Sequence, residues 1–216
     1  MKKKKGRRRP PPPKRRQKKG RSRRRPRLKS AIEKAQNLPT NVVSTDKIKQ
    51  TADVERDELA KIARWANAFG NTLSQQPLLV ESEEPSDAYY LVEFRRETRT
   101  TGLMTINAIS GEPQEIAGIG EDPADRTLAL FKFYHRDEIP PLLDNRVILM
   151  NPSRRITIKA ANLNVQTNLY WVPCDQSVEA VQPFYLVDHV TDTASDRVYV
   201  RVDGEVFPTI TRLGRG

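Results

Sequence analysis

Residues 88–111 read Ala-Tyr-Tyr-Leu-Val-Glu-Phe-Arg-Arg-Glu-Thr-Arg-Thr-Thr-Gly-Leu-Met-Thr-Ile-Asn-Ala-Ile-Ser-Gly. Aromatic and β-branched side chains crowd Ala88–Phe94 and Gly102–Ile109, and such side chains suit a pleated, half-buried surface. Ser110-Gly111 supplies a turn after the second run. Outward from this stretch, short runs of the same kind recur. Leu78–Val80 precedes it, and residues 114–119, 127–134, 146–150, 156–159, 168–172, 184–187 and 197–203 follow. Asp203-Gly204 is a hairpin signal leading into 205–210. Nine or ten short strands are therefore expected after Pro77, separated by turns. No helical period is expected beyond residue 75, which argues against βαβ crossovers and for an all-β antiparallel sandwich. Tyr89-Tyr-Leu-Val-Glu93 and Phe184-Tyr-Leu-Val-Asp188 echo each other. Little else aligns, so the echo reads as two similar hairpins.

One helix is expected before the strands, over 52–69. Leu59, Ile62, Ala66, Phe69 and Leu73 fall at 3/4 spacing with Trp65 beside them. Asp53, Glu55, Asp57 and Glu58 crowd its first turns, where the helix dipole favours acids, and Gly70-Asn71 is a stop. Trp65 and Phe69 read as core packing or as a docking face for another copy. Ser30–Gln36 could form a short helix, broken at Leu38-Pro39-Thr40-Asn41.

The chain has 216 residues and a formal net charge of +11, but the charge is segregated. Residues 1–30 carry 18 Lys/Arg and no acid, which leaves 20 basic and 27 acidic groups on the other 186 residues. Met1 and Leu28 are the only strongly apolar side chains of the leader. Such a segment cannot bury enough apolar area to offset its ordering entropy, so it is expected to be disordered alone. Pro10–Pro13 favour polyproline II and hold two basic blocks apart. A cation density of this kind matches a polyphosphate, with counterion release as the driving term. The expected phosphate partners are Lys2, Lys3, Lys4, Lys5, Arg7, Arg8, Arg9, Lys14, Arg15, Arg16, Lys18, Lys19, Arg21, Arg23, Arg24, Arg25, Arg27 and Lys29. No aromatic interrupts them, so affinity without base preference is expected. A nuclear or nucleolar address read by an import receptor is the other reading of this run, and the two can coexist.

Several classes are excluded as expectations. No apolar run of 18 residues exists, and no apolar stretch follows the positive start, so neither a spanning helix nor a secretory leader is expected. A single cysteine, Cys174, makes no internal disulfide, and no Cys/His spacing suggests zinc. Nucleophilic catalysis needs a nucleophile beside a base. The two histidines, His135 and His189, share no spacing motif with Cys174, Ser110 or Ser177. His135 reads as a strand-end residue. Gly118-Ile-Gly120 lacks the lysine and the following helix of a phosphate loop. The acidic runs Glu81–Glu84 and Glu121–Asp125 read as solvated loops. No enzyme, cofactor or metal is expected.

Three parts follow: a basic arm at 1–30, a connecting arm with the helix at 31–75, and a β-rich body at 76–216. With its Arg-Arg-Arg-Pro-Pro-Pro-Pro block at 7–13 and its strand series from Tyr89 to Ile210, this layout resembles the coat proteins of small non-enveloped plant RNA viruses. It is most similar to ourmiavirus coat proteins and more distantly to those of bromoviruses and ilarviruses. The resemblance implies a jelly-roll shell domain, a homo-oligomeric capsid around single-stranded genomic RNA, and a place in the virion and the host cytoplasm, nucleus or nucleolus. Two alternatives stay open. One is a cellular nucleolar RNA-binding protein with a monomeric body. The other is an α+β interaction module, cystatin-like or PepSY-like, with the helix on the Tyr89–Glu115 strands and an echo near Phe184–Thr209.

Overall fold

The computed structural model of the chain describes residues 41–120, 128–129 and 131–213. The basic arm, the short helix expected at 30–36 and the Glu121–Asp125 run lie outside the described residues. Among the described residues Ser44 caps the first helix, α1 (Thr45–Ala60), which buries Ile48, Ala52 and Leu59. At Ile62 the backbone turns extended, and α2 (Ala63–Phe69) follows. The single helix expected over 52–69 is thus two helices, and the first begins at Thr45. Its opening turns contain one large apolar residue, Ile48, so the sequence offers no period there. The break falls where Ile62 leaves the buried stripe and stands 45% exposed.

Among the described residues twelve strands follow, mostly as expected in place. They are β1 (Leu73–Ser74), β2 (Leu78–Glu81), β3 (Tyr89–Arg96), β4 (Arg99–Asn107), β5 (Pro113–Gly120), β6 (Leu128–Ala129), β7 (Val147–Asn151), β8 (Arg154–Thr157), β9 (Leu163–Tyr170), β10 (Phe184–Val190), β11 (Ser195–Arg201) and β12 (Val206–Phe207). Of the strand expected over 127–134, only Leu128–Ala129 pairs among the described residues; residues 131–134 form no ladder and instead cross to the second half of the body, where the Tyr134 amide donates to the Val202 carbonyl at 2.8 Å. A helix also exists after residue 75: α3 (Ile139–Leu143), five residues with prolines in its first turn. It is too short to show a period, and proline at that position is already set for the helical φ.

The body is mostly β, with a mixed sheet in the order β12-β11-β10-β9-β2-β3-β4-β5-β6 and a separate β7–β8 hairpin. The expected all-antiparallel pairing is corrected at two places, because β2 pairs with β9 and β5 with β6 in parallel. Two antiparallel meanders, β2–β5 and β9–β12, run outward from the β2–β9 seam. A half-turn about an axis along that seam would superpose their strand orders and exchange the faces of the sheet. The sequence echo obeys this operation. Tyr90 and Val92 pack beneath the helices, whereas their counterparts in the echo, Tyr185 and Val187, join the core on the other face.

Strand alternation divides the interior accordingly. Tyr90, Val92, Phe94, Met104 and Ile106 meet Ile48, Ala52, Leu59, Ala68 and Phe69 of α1 and α2. The opposite faces of both meanders share the larger cluster, where Tyr89, Leu91 and Leu103 join Tyr185, Val187, Val198 and Val200 around Phe133, Ile139 and Leu143. The helix-on-sheet packing of the α+β alternative occurs over the first meander, while α3 contacts β9 of the second. Among the described residues no helix is long and apolar enough to cross a membrane.

Candidate functional site

In β3, Tyr89 and Leu91 point into the larger cluster, and the alternation carries Glu93 to the same side. A carboxylate buried to 2% exposure needs partners, since an isolated buried charge is strongly disfavoured. Arg95, two residues along the strand, donates through Nε to Glu93 Oε1 at 2.7 Å. Thr100, on the neighbouring β4, donates its hydroxyl to the same oxygen. His135, from the unpaired 131–135 segment, brings Nε2 within 3.2 Å of Glu93 Oε2. That contact is an ion-pair distance without hydrogen-bond alignment, and Oε2 has no hydrogen-bond partner. Arg95 Nη2 lies in short contact with the same imidazole nitrogen. Burial alone would raise the Glu93 pKa, but the contacts from His135, Arg95 and Thr100 outweigh it and hold the carboxyl below its ordinary value.

The segment carrying His135 is fixed at both ends. The His135 amide donates to Glu138 Oε2 at 2.9 Å, and Lys132 Nζ donates to Glu138 Oε1 at 2.6 Å. These two hydrogen bonds, the backbone one first, hold Glu138 below the usual carboxylate range. Lys132 also lies 4.5 Å from the centre of the Tyr134 ring. Beneath the segment the Tyr185 hydroxyl donates to the Tyr134 carbonyl at 3.1 Å. Burial first, and then the charges of Glu93, Asp137 and Glu138, push that phenol well above its ordinary pKa.

Together β3, β4 and residues 131–138 enclose an open cleft of about 800 Å³. Arg95, Arg99 and Lys132 bring positive charge to it, Asp137 and Glu138 bring carboxylates, and Phe131 and Phe133 bring apolar surface. Thr98, Thr100 and His135 complete the lining. Cations, carboxylates and aromatic surface thus line one opening.

Glu93, Arg95 and Thr100 were not singled out from the sequence. The available signal was an acid at an inward position of an otherwise apolar alternation. His135, expected to be a strand-end residue, is the fourth member of the cluster. The phosphate partners expected between Lys2 and Lys29 all lie outside the described residues. Cys174 is fully buried with Sγ 3.6 Å from the Ser177 carbonyl oxygen, and His189 is buried on β10 with Nε2 unpartnered. No hydrogen bond joins these two. Trp65 and Phe69 stack edge to face at 5.9 Å, and Phe69 meets Phe94 in the same way at 5.1 Å, so Phe69 is core. Among the described residues no group of three or more His, Cys, Asp or Glu converges as metal ligands. Comparison of the chain with protein-family models, with curated proteins and with solved structures returned no match.

Proposed function

We propose that the protein packages single-stranded RNA as a viral coat protein, its leader neutralising phosphates while its bodies associate into a shell. The observation that carries the reading is the charge division: 18 Lys/Arg without an acid in residues 1–30, against an acidic excess of 27 to 20 in the remainder. A polycation joined to a body of opposite sign binds RNA at one end and leaves the body free for contacts with its own kind. The body this reading needs is a rigid β-rich unit. A jelly-roll shell domain is the finer form of the proposal, and the two-meander order described above is the body to which that form would have to be fitted. By the same reading the leader also serves as a nuclear or nucleolar address while the protein is free.

Removing residues 1–30 is expected to abolish RNA retention in moderate salt. Size-exclusion chromatography with light scattering on the full chain is expected to show large assemblies with RNA. Retention that survives the deletion, or monomer alone with and without RNA, would defeat the proposal. Loss of RNA binding from a protein that is monomeric throughout would favour the cellular RNA-binding alternative instead.

A further inference from the structure

We propose that the cleft between β3, β4 and residues 131–138 is a second RNA contact, a subsite on the body that takes one nucleotide with an amino-bearing base. It rests on the packaging reading for the source of that nucleotide but not for its chemistry. The volume of about 800 Å³ lies in the range of small-ligand sites, roughly 300–1,000 Å³. The lining discriminates among ligands. A purely apolar ligand would leave the exposed Lys132 ammonium unused, and an inorganic anion would leave Phe131 unused. A nucleotide uses both, with its phosphate on Lys132 and its base against the partly exposed Phe131 ring. Stacking of a base on an aromatic is tolerant of sequence, and the leader has no aromatic to supply it.

The carboxylates sharpen the choice of base. Asp137 and Glu138 repel a second phosphate but accept from an exocyclic amine, as carboxylates do from cytosine N4. Uracil has no such amine. Part of the site is also held in place before any ligand arrives. Buried Glu93 grips Arg95 and lies against His135, and Lys132 is held by Glu138 and the Tyr134 ring. A lysine ammonium has three donors, so the Glu138 contact leaves others for a phosphate.

The test uses the full chain in moderate salt, where the leader's phosphate contacts are weakened. Equilibrium dialysis with CMP and UMP measures binding, and ultraviolet cross-linking to oligocytidylate followed by peptide mapping locates it. One CMP per chain is expected, with UMP several-fold weaker and cross-links on residues 131–138. Phe131→Ala is expected to weaken CMP about tenfold or more, the scale of losing one stacked base. Lys132→Glu, at a side chain 60% exposed, tests the phosphate contact without touching the core and should weaken both nucleotides alike. Cross-links confined to the leader, or CMP binding indifferent to both substitutions, overturn the subsite and leave the packaging proposal standing. Cross-links at 131–138 from a protein whose leader can be removed without loss of RNA overturn packaging and leave the subsite.

Discussion

Glu93 shows how one residue can organise a surface. An acid at an inward strand position is costly unless its charge is met, and Arg95, Thr100 and His135 meet it from three different places in the chain. Because the native carboxyl titrates below its unfolded value of about 4.3, the folded state holds fewer protons there than the unfolded one. Its contribution to stability is therefore full above the unfolded pKa and is lost as pH falls through the lower native value. Glu93→Gln keeps the shape and removes the charge. It is expected to cost about 1.5–3 kcal/mol at pH 7, the range for hydrogen bonds to charged groups. Thermal unfolding measured from pH 7 to pH 3 should show the mutant and wild-type curves converging at the acid end. Parallel curves would mean that Glu93 carries no charge-dependent share.

At the scale of elements, contact geometry explains what local pattern does not. α2 lies on β4 because Gly102 offers no side chain: a Cβ there would sit 2.7 Å from Phe69 Cε1. Gly102→Ala must displace a fully buried ring that also packs on Phe94. Overpacking of this kind costs about 1–3 kcal/mol, measurable as a lower denaturant midpoint at unchanged slope. A result within error of wild type would show that α2 rides loosely on the sheet. The β7–β8 hairpin has a different attachment. Its apolar face joins the larger core through Ile148, Met150 and Ile156, and Arg154 forks onto Asp196 of β11 at 2.6 Å through both nitrogens. A two-stranded hairpin is marginal by itself. Arg154→Ala is therefore expected to speed amide exchange over 147–157 while leaving the rest of the body protected. Unchanged exchange would assign the attachment to the apolar face alone. The α1–α2 break and the five-residue α3 belong to this scale too. Neither spans enough turns to leave a period in the sequence, and both are set by what they pack against.

For the whole molecule, two divisions matter. One is the pseudo-twofold about the β2–β9 seam, which explains why an echo of five residues faces opposite sides of one sheet. A half-turn along the strand direction preserves parallel pairing at the seam and exchanges faces, whereas simple translation would keep both runs on one face. The other is the separation of cationic leader from acidic body. If the leader is the principal RNA contact, log affinity should fall steeply with log salt, by roughly 0.7 per phosphate engaged. Filter binding of single-stranded RNA across a salt series is expected to show a steep slope for the full chain and, without residues 1–30, weak binding of shallow slope at the lowest salt only. Equal slopes would place the ionic contacts on the body.

From the sequence alone came the β-rich body, most strand positions, a helical segment before them and the charge asymmetry, because each depends on local composition or on a period of two or 3.6 residues. The parallel seam, the face exchange, the helix break and the Glu93 cluster were decided only in three dimensions. Pairing partners and buried polar contacts join residues far apart in the chain: β2 meets β9, and His135 reaches Glu93 across 42 positions. No local pattern records which distant carboxylate an imidazole will find, since that is settled by how two meanders close on one core.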